Sequence, residues 1–104
     1  MNTHLAMSFV PTAFVELRAV LARQIKDLSA QYPEPHSTTW FFLRYLRRVA
    51  RRAEAGVSPR ECNAAMRGLI RFYIDSIDPT SDLAWRFEEV LDAHRKALRC
   101  EHAL

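Results

Sequence analysis

The amino-acid sequence predicts an all-α fold, a small bundle of about four helices that is organised around a central helical hairpin and forms a dimer. Apolar residues recur at spacings of three and four along most of the chain, which is typical of amphipathic helices. The prolines stand at the breaks between these stretches, and no alternating apolar stretch is bounded by turn residues as a strand would be. At 104 residues the chain has the length of one domain, so residues 1–104 are predicted to form a single helical domain.

An apolar N-terminal arm, residues 1–10, precedes a first helix that is predicted at residues 11–31. We expect the arm to pack on its own domain or on a partner subunit, because it is rich in large apolar side chains. The helix has one apolar stripe, formed by Phe14, Leu17, Leu21, Ile25 and Leu28. Pro33 and Pro35 cannot continue this helix and predict an extended link after it.

The hairpin begins with a helix that is predicted at residues 38–55. Ser37 or Thr38 is suited to cap its N-terminus, and Gly56 stands where a left-handed C-cap is common. One arc of this helix is apolar and carries Phe42, Leu43, Leu46, Val49, Ala50 and Ala53. The opposite arc is basic and carries Arg44, Arg47, Arg48, Arg51 and Arg52. Trp40 and Phe41 lie at the edge of the basic arc and not with the apolar stripe. They either belong to a binding surface or are covered by the N-terminal arm of the same chain, and the basic arc is either a solvated outer face or part of that binding surface.

The second helix of the hairpin is predicted at residues 59–77. Ser58 and Glu61 have the spacing of a capping box, and Pro59 suits the first helical position. More than half of the circumference of this helix is apolar, so it needs neighbours on two sides. We therefore predict that it is central to the fold or faces a second subunit, and that Gly68 lets another helix approach closely. The predicted dimer interface consists of Met66, Ile70, Tyr73, Ile74 and Ile77.

The last helix is predicted at residues 79–99, with either Pro79 or Asp82 as its start. Its buried stripe comprises Leu83, Phe87, Val90, Leu91, His94, Ala97 and Leu98. Trp85 falls on the opposite face among acidic residues. Single exposed apolar residues are common, so Trp85 is either an ordinary surface residue or a binding contact.

The sequence lacks the usual catalytic patterns. It contains no nucleophile elbow, and two glycines cannot form a glycine-rich phosphate loop. The spacing of Cys62, His94, Cys100 and His102 matches no zinc finger, and two distant cysteines do not suggest a secreted disulfide framework. No stretch has the pattern of a membrane span or a signal peptide. We therefore predict no enzyme, no cofactor, metal or small-molecule substrate, no membrane contact, and a cytoplasmic location.

The charge distribution leaves two classes of binding protein open. Residues 44–71 hold eight arginines against two glutamates, whereas the whole chain has a formal net charge of +3. Arginine suits nucleic-acid phosphates, but both hairpin helices are too long, and the second is too apolar, to act as a helix-turn-helix in a major groove. Aromatic residues beside arginine are typical of protein interfaces, which favours a protein partner over nucleic acid. The predicted partner-binding residues are Trp40, Phe41, Arg44, Arg48 and Trp85.

The run WFFLRYLRRVARRAEAGVSPRECNAAMRGLIRFYIDSID, together with the size and helical layout of the chain, resembles the quorum-sensing antiactivators that act on LuxR-type transcription factors. The resemblance covers most of the chain. It implies a cytoplasmic homodimer that binds the ligand-binding domain of a LuxR-type factor, blocks the dimerisation of that factor and so prevents DNA binding. Such an antiactivator would itself bind neither DNA nor autoinducer. A small phage-encoded inhibitor of a bacterial defence complex has a similar composition and is a further alternative.

Overall fold

The computed structural model describes residues 12–103, which form four α-helices and no β-strand. The helices are α1 (Thr12–Ser29), α2 (Thr38–Ala55), α3 (Asn63–Ser76) and α4 (Asp82–Ala103). A 3-10 turn at Pro59–Cys62 leads directly into α3. The all-α prediction is thus confirmed for these residues, whereas the predicted N-terminal arm at residues 1–10 lies outside them. No helix within residues 12–103 combines the length and the apolarity that crossing a lipid bilayer requires.

Local backbone geometry explains where α1 ends. The predicted bound was residue 31, but α1 stops at Ser29 and is followed by turns whose N–H groups bond to carbonyls three residues back. Tyr32 then adopts a φ of 49°, which lies in the left-handed region, and Pro33 follows it. A left-handed residue cannot continue a right-handed helix, and a proline disfavours the helical conformation in the residue before it, so the chain leaves α1 at this point.

The connection before α4 is a turn held by Asp78. The carboxylate of Asp78 accepts hydrogen bonds from the backbone N–H and the hydroxyl of Thr80, at 2.9 and 2.8 Å. These two hydrogen bonds lower the pKa of Asp78. Because the turn occupies the residues up to Ser81, α4 begins at Asp82, the later of the two predicted starts, and it continues past residue 99 to Ala103.

The core lies around α1, which packs against both α2 and α4 along its length. Its predicted stripe is confirmed, since Ile25 is half-buried and the other four members are buried. Of the two alternatives predicted for the second hairpin helix, a central position in the fold is wrong, and contact with a second subunit stays a prediction. α3 packs on α2 but meets α4 over a short stretch only, and within α3 Met66 and Leu69 alone are buried. Its wide apolar circumference therefore remains partly at the surface, where Ile74 is 71% exposed.

Side-chain capping marks the N-terminal start of each half of the hairpin. Ser37 is the N-cap of α2 and accepts a hydrogen bond from the backbone N–H of Trp40 at 3.2 Å, as predicted. The capping box of Ser58 and Glu61 is also present, with Pro59 at the start of the turn. The carboxylate of Glu61 accepts hydrogen bonds from two successive backbone N–H groups, those of Val57 and Ser58.

The predicted left-handed C-cap at Gly56 is wrong. Gly56 has φ −90° and ψ 167°, an extended conformation that any residue can adopt. The position is nevertheless crowded, because a Cβ atom there would lie 2.9 Å from the carbonyl oxygen of Arg52 and 2.9 Å from the carboxylate of Glu61. Gly56 is therefore required by space and not by backbone angle.

Arg18 of α1 closes the C-terminal end of α2. Its Nε donates a hydrogen bond to the carbonyl oxygen of Ala53 at 2.8 Å, and its Nη2 donates one to the carbonyl oxygen of Gly56 at 2.9 Å. Carbonyl groups at the end of a helix lack partners within the helix, and the helix dipole places negative charge there. One guanidinium thus satisfies two of these groups and ties α1 to the hairpin.

Gly68 faces the ring of Tyr45 across the contact between α2 and α3. A Cβ atom at Gly68 would lie 3.5 Å from Cε1 of Tyr45, which is an ordinary van der Waals distance. The two helices do meet at this position, but their approach leaves room for a methyl group. The predicted close approach therefore does not depend on glycine.

Candidate functional site

Five rings form a continuous aromatic cluster on the hairpin, comprising His36, Trp40, Phe41, Tyr45 and Phe72. The ring centroids of Trp40 and Phe41 are 4.9 Å apart with an interplanar angle of 85°. His36 lies 4.7 Å from Trp40, and Phe72 of α3 stacks on Tyr45 at 5.0 Å. All of these rings except the exposed His36 are half-buried, so the cluster presents a partly accessible aromatic surface.

The start of α2 positions this cluster. Trp40 and Phe41 stand in the first turn of the helix, and Tyr45 lies one turn after Phe41 on the same side. His36 comes from the link before the helix and adopts a φ of 70°, which is rare for a residue with a side chain. Backbone strain of this kind is concentrated at functional sites. The ring of His36 is thereby placed beside Trp40.

Two predicted arginines contact this cluster. The guanidinium of Arg44 lies 5.0 Å from the ring centroid of Trp40, and that of Arg48 lies 5.1 Å from the ring centroid of Tyr45. Both distances are within the range of cation–π contacts. The structure therefore brings Trp40, Phe41 and Arg44 together as predicted, and Arg48 joins them through Tyr45.

The basic arc of α2 is a row of exposed arginines, which we call the arginine row: Arg44, Arg47, Arg48, Arg51 and Arg52. Within residues 12–103, none of these side chains forms a salt bridge. Arg47 donates a hydrogen bond to the hydroxyl of Ser29 at 3.0 Å, and Arg44 and Arg48 each make a cation–π contact with an aromatic ring. By contrast, some basic residues outside this row do pair, as Lys96 does with Glu16 at 3.1 Å. The arginine row thus keeps its charge available at the surface.

Trp85 lies apart from the aromatic cluster. It is 48% exposed on α4, and its Nε1 donates a hydrogen bond to the carboxylate of Asp82. The guanidinium of Arg86 lies 4.8 Å from its ring centroid, and no ring contact within residues 12–103 joins it to the hairpin. The structure thus does not place Trp85 with the other predicted binding residues.

A buried polar contact between α1 and α4 was not predicted. Gln24 is fully buried, and its Nε2 donates hydrogen bonds to the carbonyl oxygen of Arg86 at 3.0 Å and to the carboxylate of Glu89 at 2.7 Å. Arg86 is also buried and forms a salt bridge with Asp82 at 2.9 Å, which lowers the pKa of Asp82. Two signals in the sequence point to this contact. Gln24 lies three residues after Leu21 on the apolar stripe, and Asp82 precedes Arg86 by four residues.

Only some of the residues predicted to form the dimer interface lie at the surface of the subunit. Met66 and Ile77 are 1% and 8% exposed, so they contribute to the core of the subunit, and assigning them to an interface was wrong. Tyr73 is half-buried and stacks on Phe87 of α4 with a centroid distance of 4.0 Å. Ile70 is half-buried and Ile74 is exposed, which leaves these two side chains on the outer face of α3.

Two of the candidate metal-ligating residues, His94 and Cys62, lie buried in the subunit. The Nε2 atom of His94 lies 3.3 Å from the carbonyl oxygen of Pro59, and burial lowers the pKa of this histidine. Burial also raises the pKa of the Cys62 thiol to about 11, so it is protonated at neutral pH. No group of three or more His, Cys, Asp or Glu residues within the described part of the chain is arranged to hold a metal ion.

No protein-family model matches the chain, and no curated protein or solved structure is significantly similar to it.

Proposed function

We propose that the chain is a cytoplasmic protein-binding regulator of the antiactivator type, with no enzymatic activity. In this proposal it binds the ligand-binding domain of a LuxR-type quorum-sensing transcription factor, disrupts the dimerisation of that factor and so prevents DNA binding. The choice of partner rests on the resemblance of residues 40–78 to such antiactivators. A cytoplasmic location agrees with the free thiols of Cys62 and Cys100.

The observation that carries the proposal is the aromatic cluster beside Arg44 and Arg48. Large aromatic side chains and arginine are the residues that most often dominate binding energy at protein interfaces. The rings here already contact one another, so little conformational entropy remains to be lost when a partner covers them. Arg44 and Arg48 have guanidinium groups free to donate charge-assisted hydrogen bonds to carboxylates at the rim of such a contact.

Nucleic acid is the second candidate partner, because the arginine row has no salt bridges within residues 12–103. The aromatic cluster argues against single-stranded nucleic acid, which needs free ring faces for base stacking. The ring of Tyr45 is in contact with Phe72 at 5.0 Å and with Arg48 at 5.1 Å. Trp40 is likewise flanked by His36 and Arg44. A base would have to displace these neighbours, whereas a protein partner can cover the cluster as it stands.

We also propose that the chain is a homodimer, with Ile70, Tyr73 and Ile74 of α3 in the interface. Ile74 is 71% exposed, and Ile70 lies one turn before it on the same face. Burying these side chains against a second copy would remove apolar surface that one subunit leaves in water. Light scattering at micromolar concentration should give about twice the 12.1 kDa mass of one chain, and a monomer mass would contradict this part of the proposal.

The proposed function is tested by adding the purified chain to the ligand-binding domain of a LuxR-type factor from the same host. We expect a stoichiometric complex in size-exclusion chromatography with light scattering, together with loss of the homodimer of the factor. The full-length factor should then lose its affinity for operator DNA, which fluorescence anisotropy measures.

Two results would contradict the proposal in different ways. A complex that still binds operator DNA as a dimer would refute the antiactivator mechanism. Absence of a complex would refute the LuxR-type partner, and capture from a host lysate followed by mass spectrometry would then identify the actual one. Direct DNA binding by the chain, with affinity falling steeply as salt rises, would favour the nucleic-acid alternative.

A further inference from the structure

The C-terminal half of the arginine row lines a groove beside the aromatic cluster, and Arg48 contributes to both. This arginine groove has a volume of about 540 Å³ and lies between the end of α2 and the start of α3. Its lining residues are Arg48, Arg51, Arg52, Ala55, Ala64 and Ala65. The alanine side chains are short, so a partner can approach the backbone while the guanidiniums surround it.

The arginines of this groove have no acidic partner within the described residues. The side chains of Arg51 and Arg52 are exposed and make no hydrogen bond, salt bridge or ring contact there, and the guanidinium of Arg48 makes a cation–π contact with Tyr45. Glu54, the acidic residue of α2 nearest to them in sequence, does not form a salt bridge with either arginine. Like charges so close together repel one another, and an acidic ligand would relieve this repulsion.

We propose that the arginine groove binds an acidic helical segment of the partner protein. Arg48 and Arg52 are four residues apart on α2, so they stand on successive turns of the same face, about 6 Å apart. Carboxylates four residues apart on a second helix have the same spacing, and each can accept hydrogen bonds from one guanidinium. This inference rests on the proposed function, because it takes the occupant to be the regulated protein. The groove then orients the partner protein and raises its rate of association, and the aromatic cluster provides the anchoring contact.

The test uses two fluorescein-labelled peptides of equal acidic charge, each about 20 residues long so that it can form a helix. One peptide places glutamates four apart on a single face, and the other distributes them over all faces. A single-stranded oligonucleotide of similar length is the third probe. Binding to the full chain is measured by fluorescence anisotropy at about 50 mM and about 300 mM salt, a range over which screening becomes strong.

Arg51→Gln combined with Arg52→Gln is the test variant. The matched control is Arg67→Gln combined with Arg71→Gln, which removes the same charge from two exposed arginines of α3 that also form no salt bridge within the described residues. We expect the single-face peptide to bind more tightly than the distributed one. The test variant should weaken its binding about tenfold at low salt, and the control should weaken it less than about twofold.

Three results would overturn the inference. Equal losses in the two variants would show that net charge alone attracts the peptide. Equal binding of the two peptides, or no binding, would exclude a groove that recognises a helical spacing of carboxylates. Tighter binding of the oligonucleotide, lost in the test variant, would assign the groove to nucleic acid. None of these results alters the measurement of complex formation with the LuxR-type factor, so the two proposals can fail separately.

Discussion

Two glycine-to-alanine substitutions should have opposite effects on stability. At Gly56 a new Cβ atom would lie 2.9 Å from the carbonyl oxygen of Arg52 and 2.9 Å from the carboxylate of Glu61. Neither neighbour can move freely, because the carbonyl belongs to the backbone of α2 and the carboxylate holds the N–H groups of Val57 and Ser58. Overpacking of this kind costs about 1–3 kcal/mol, so Gly56→Ala should lower the melting temperature by roughly 5–15 °C.

At Gly68 the same substitution should stabilise the protein. The new Cβ atom would lie 3.5 Å from Cε1 of Tyr45, in ordinary contact. Gly68 stands in the interior of α3, where alanine is favoured over glycine by about 0.5–1 kcal/mol because glycine loses more backbone entropy on folding. The melting temperature should therefore rise by roughly 3–8 °C.

Urea denaturation followed by circular dichroism measures both changes against the parent chain, and each variant is the control for the other. The free energy of unfolding should fall for Gly56→Ala and rise for Gly68→Ala. A neutral Gly56→Ala would show that Glu61 does not pack against this position. A destabilising Gly68→Ala would show that α2 and α3 approach more closely than the Tyr45 contact indicates.

Three other substitutions test separate parts of the account. Arg18→Met should lower the free energy of unfolding by about 1–3 kcal/mol in urea denaturation, because the carbonyl groups of Ala53 and Gly56 lose their hydrogen-bond donor. A change below about 0.5 kcal/mol would contradict this capping role of Arg18. Burial lowers the pKa of His94 below its ordinary value of 6.5, so between the pKa of the folded chain and pH 6.5 the unfolded chain binds a proton that the folded chain does not. The free energy of unfolding should therefore fall on acidification by at most about 1.4 kcal/mol per pH unit. His94→Gln should remove this pH dependence in thermal melts between about pH 5 and 7, and an unchanged pH dependence would assign it to another group. Ile74→Ser should weaken the proposed dimer in sedimentation experiments while changing stability by less than about 0.5 kcal/mol, and an unchanged dimer would exclude Ile74 from the interface.

The sequence predicted the helices well because their apolar stripes are local and regular. Phe14, Leu17 and Leu21 repeat with the helical period, and burial follows directly from that repeat. Caps are equally local, which is why Ser37 and the capping box were found. The preference for glycine at helix ends predicted a left-handed conformation for Gly56, which it does not have. Glycine is needed there because the side chain of Glu61 folds back against it, and this contact between separate turns cannot be deduced from residue preferences at helix ends.

The candidate site was predicted only in part, for a related reason. Trp40 and Phe41 were found because they break the apolar stripe of their helix. Tyr45 and Phe72 have the character of core residues, and only the packing of α3 on α2 shows that their rings extend the same surface. His36 lies in a proline-flanked link, and its position depends on a left-handed backbone conformation that the sequence does not indicate. The position of α3 could not be predicted either, because it depends on how much of its apolar surface its neighbours cover.

Comparison of Trp40→Ala with Trp85→Ala tests the central claim most directly. Each tryptophan lies under an arginine, with centroid distances of 5.0 Å for Trp40 and 4.8 Å for Trp85, but only Trp40 belongs to the aromatic cluster. The affinity of each folded variant for the protein partner is measured by isothermal titration calorimetry, with circular dichroism as the control for folding. We expect Trp40→Ala to lose about 2 kcal/mol or more of binding free energy, as a hot-spot residue does, and Trp85→Ala to bind like the parent. Full affinity in Trp40→Ala, or a loss confined to Trp85→Ala, would contradict the claim and move the binding surface from the hairpin to α4.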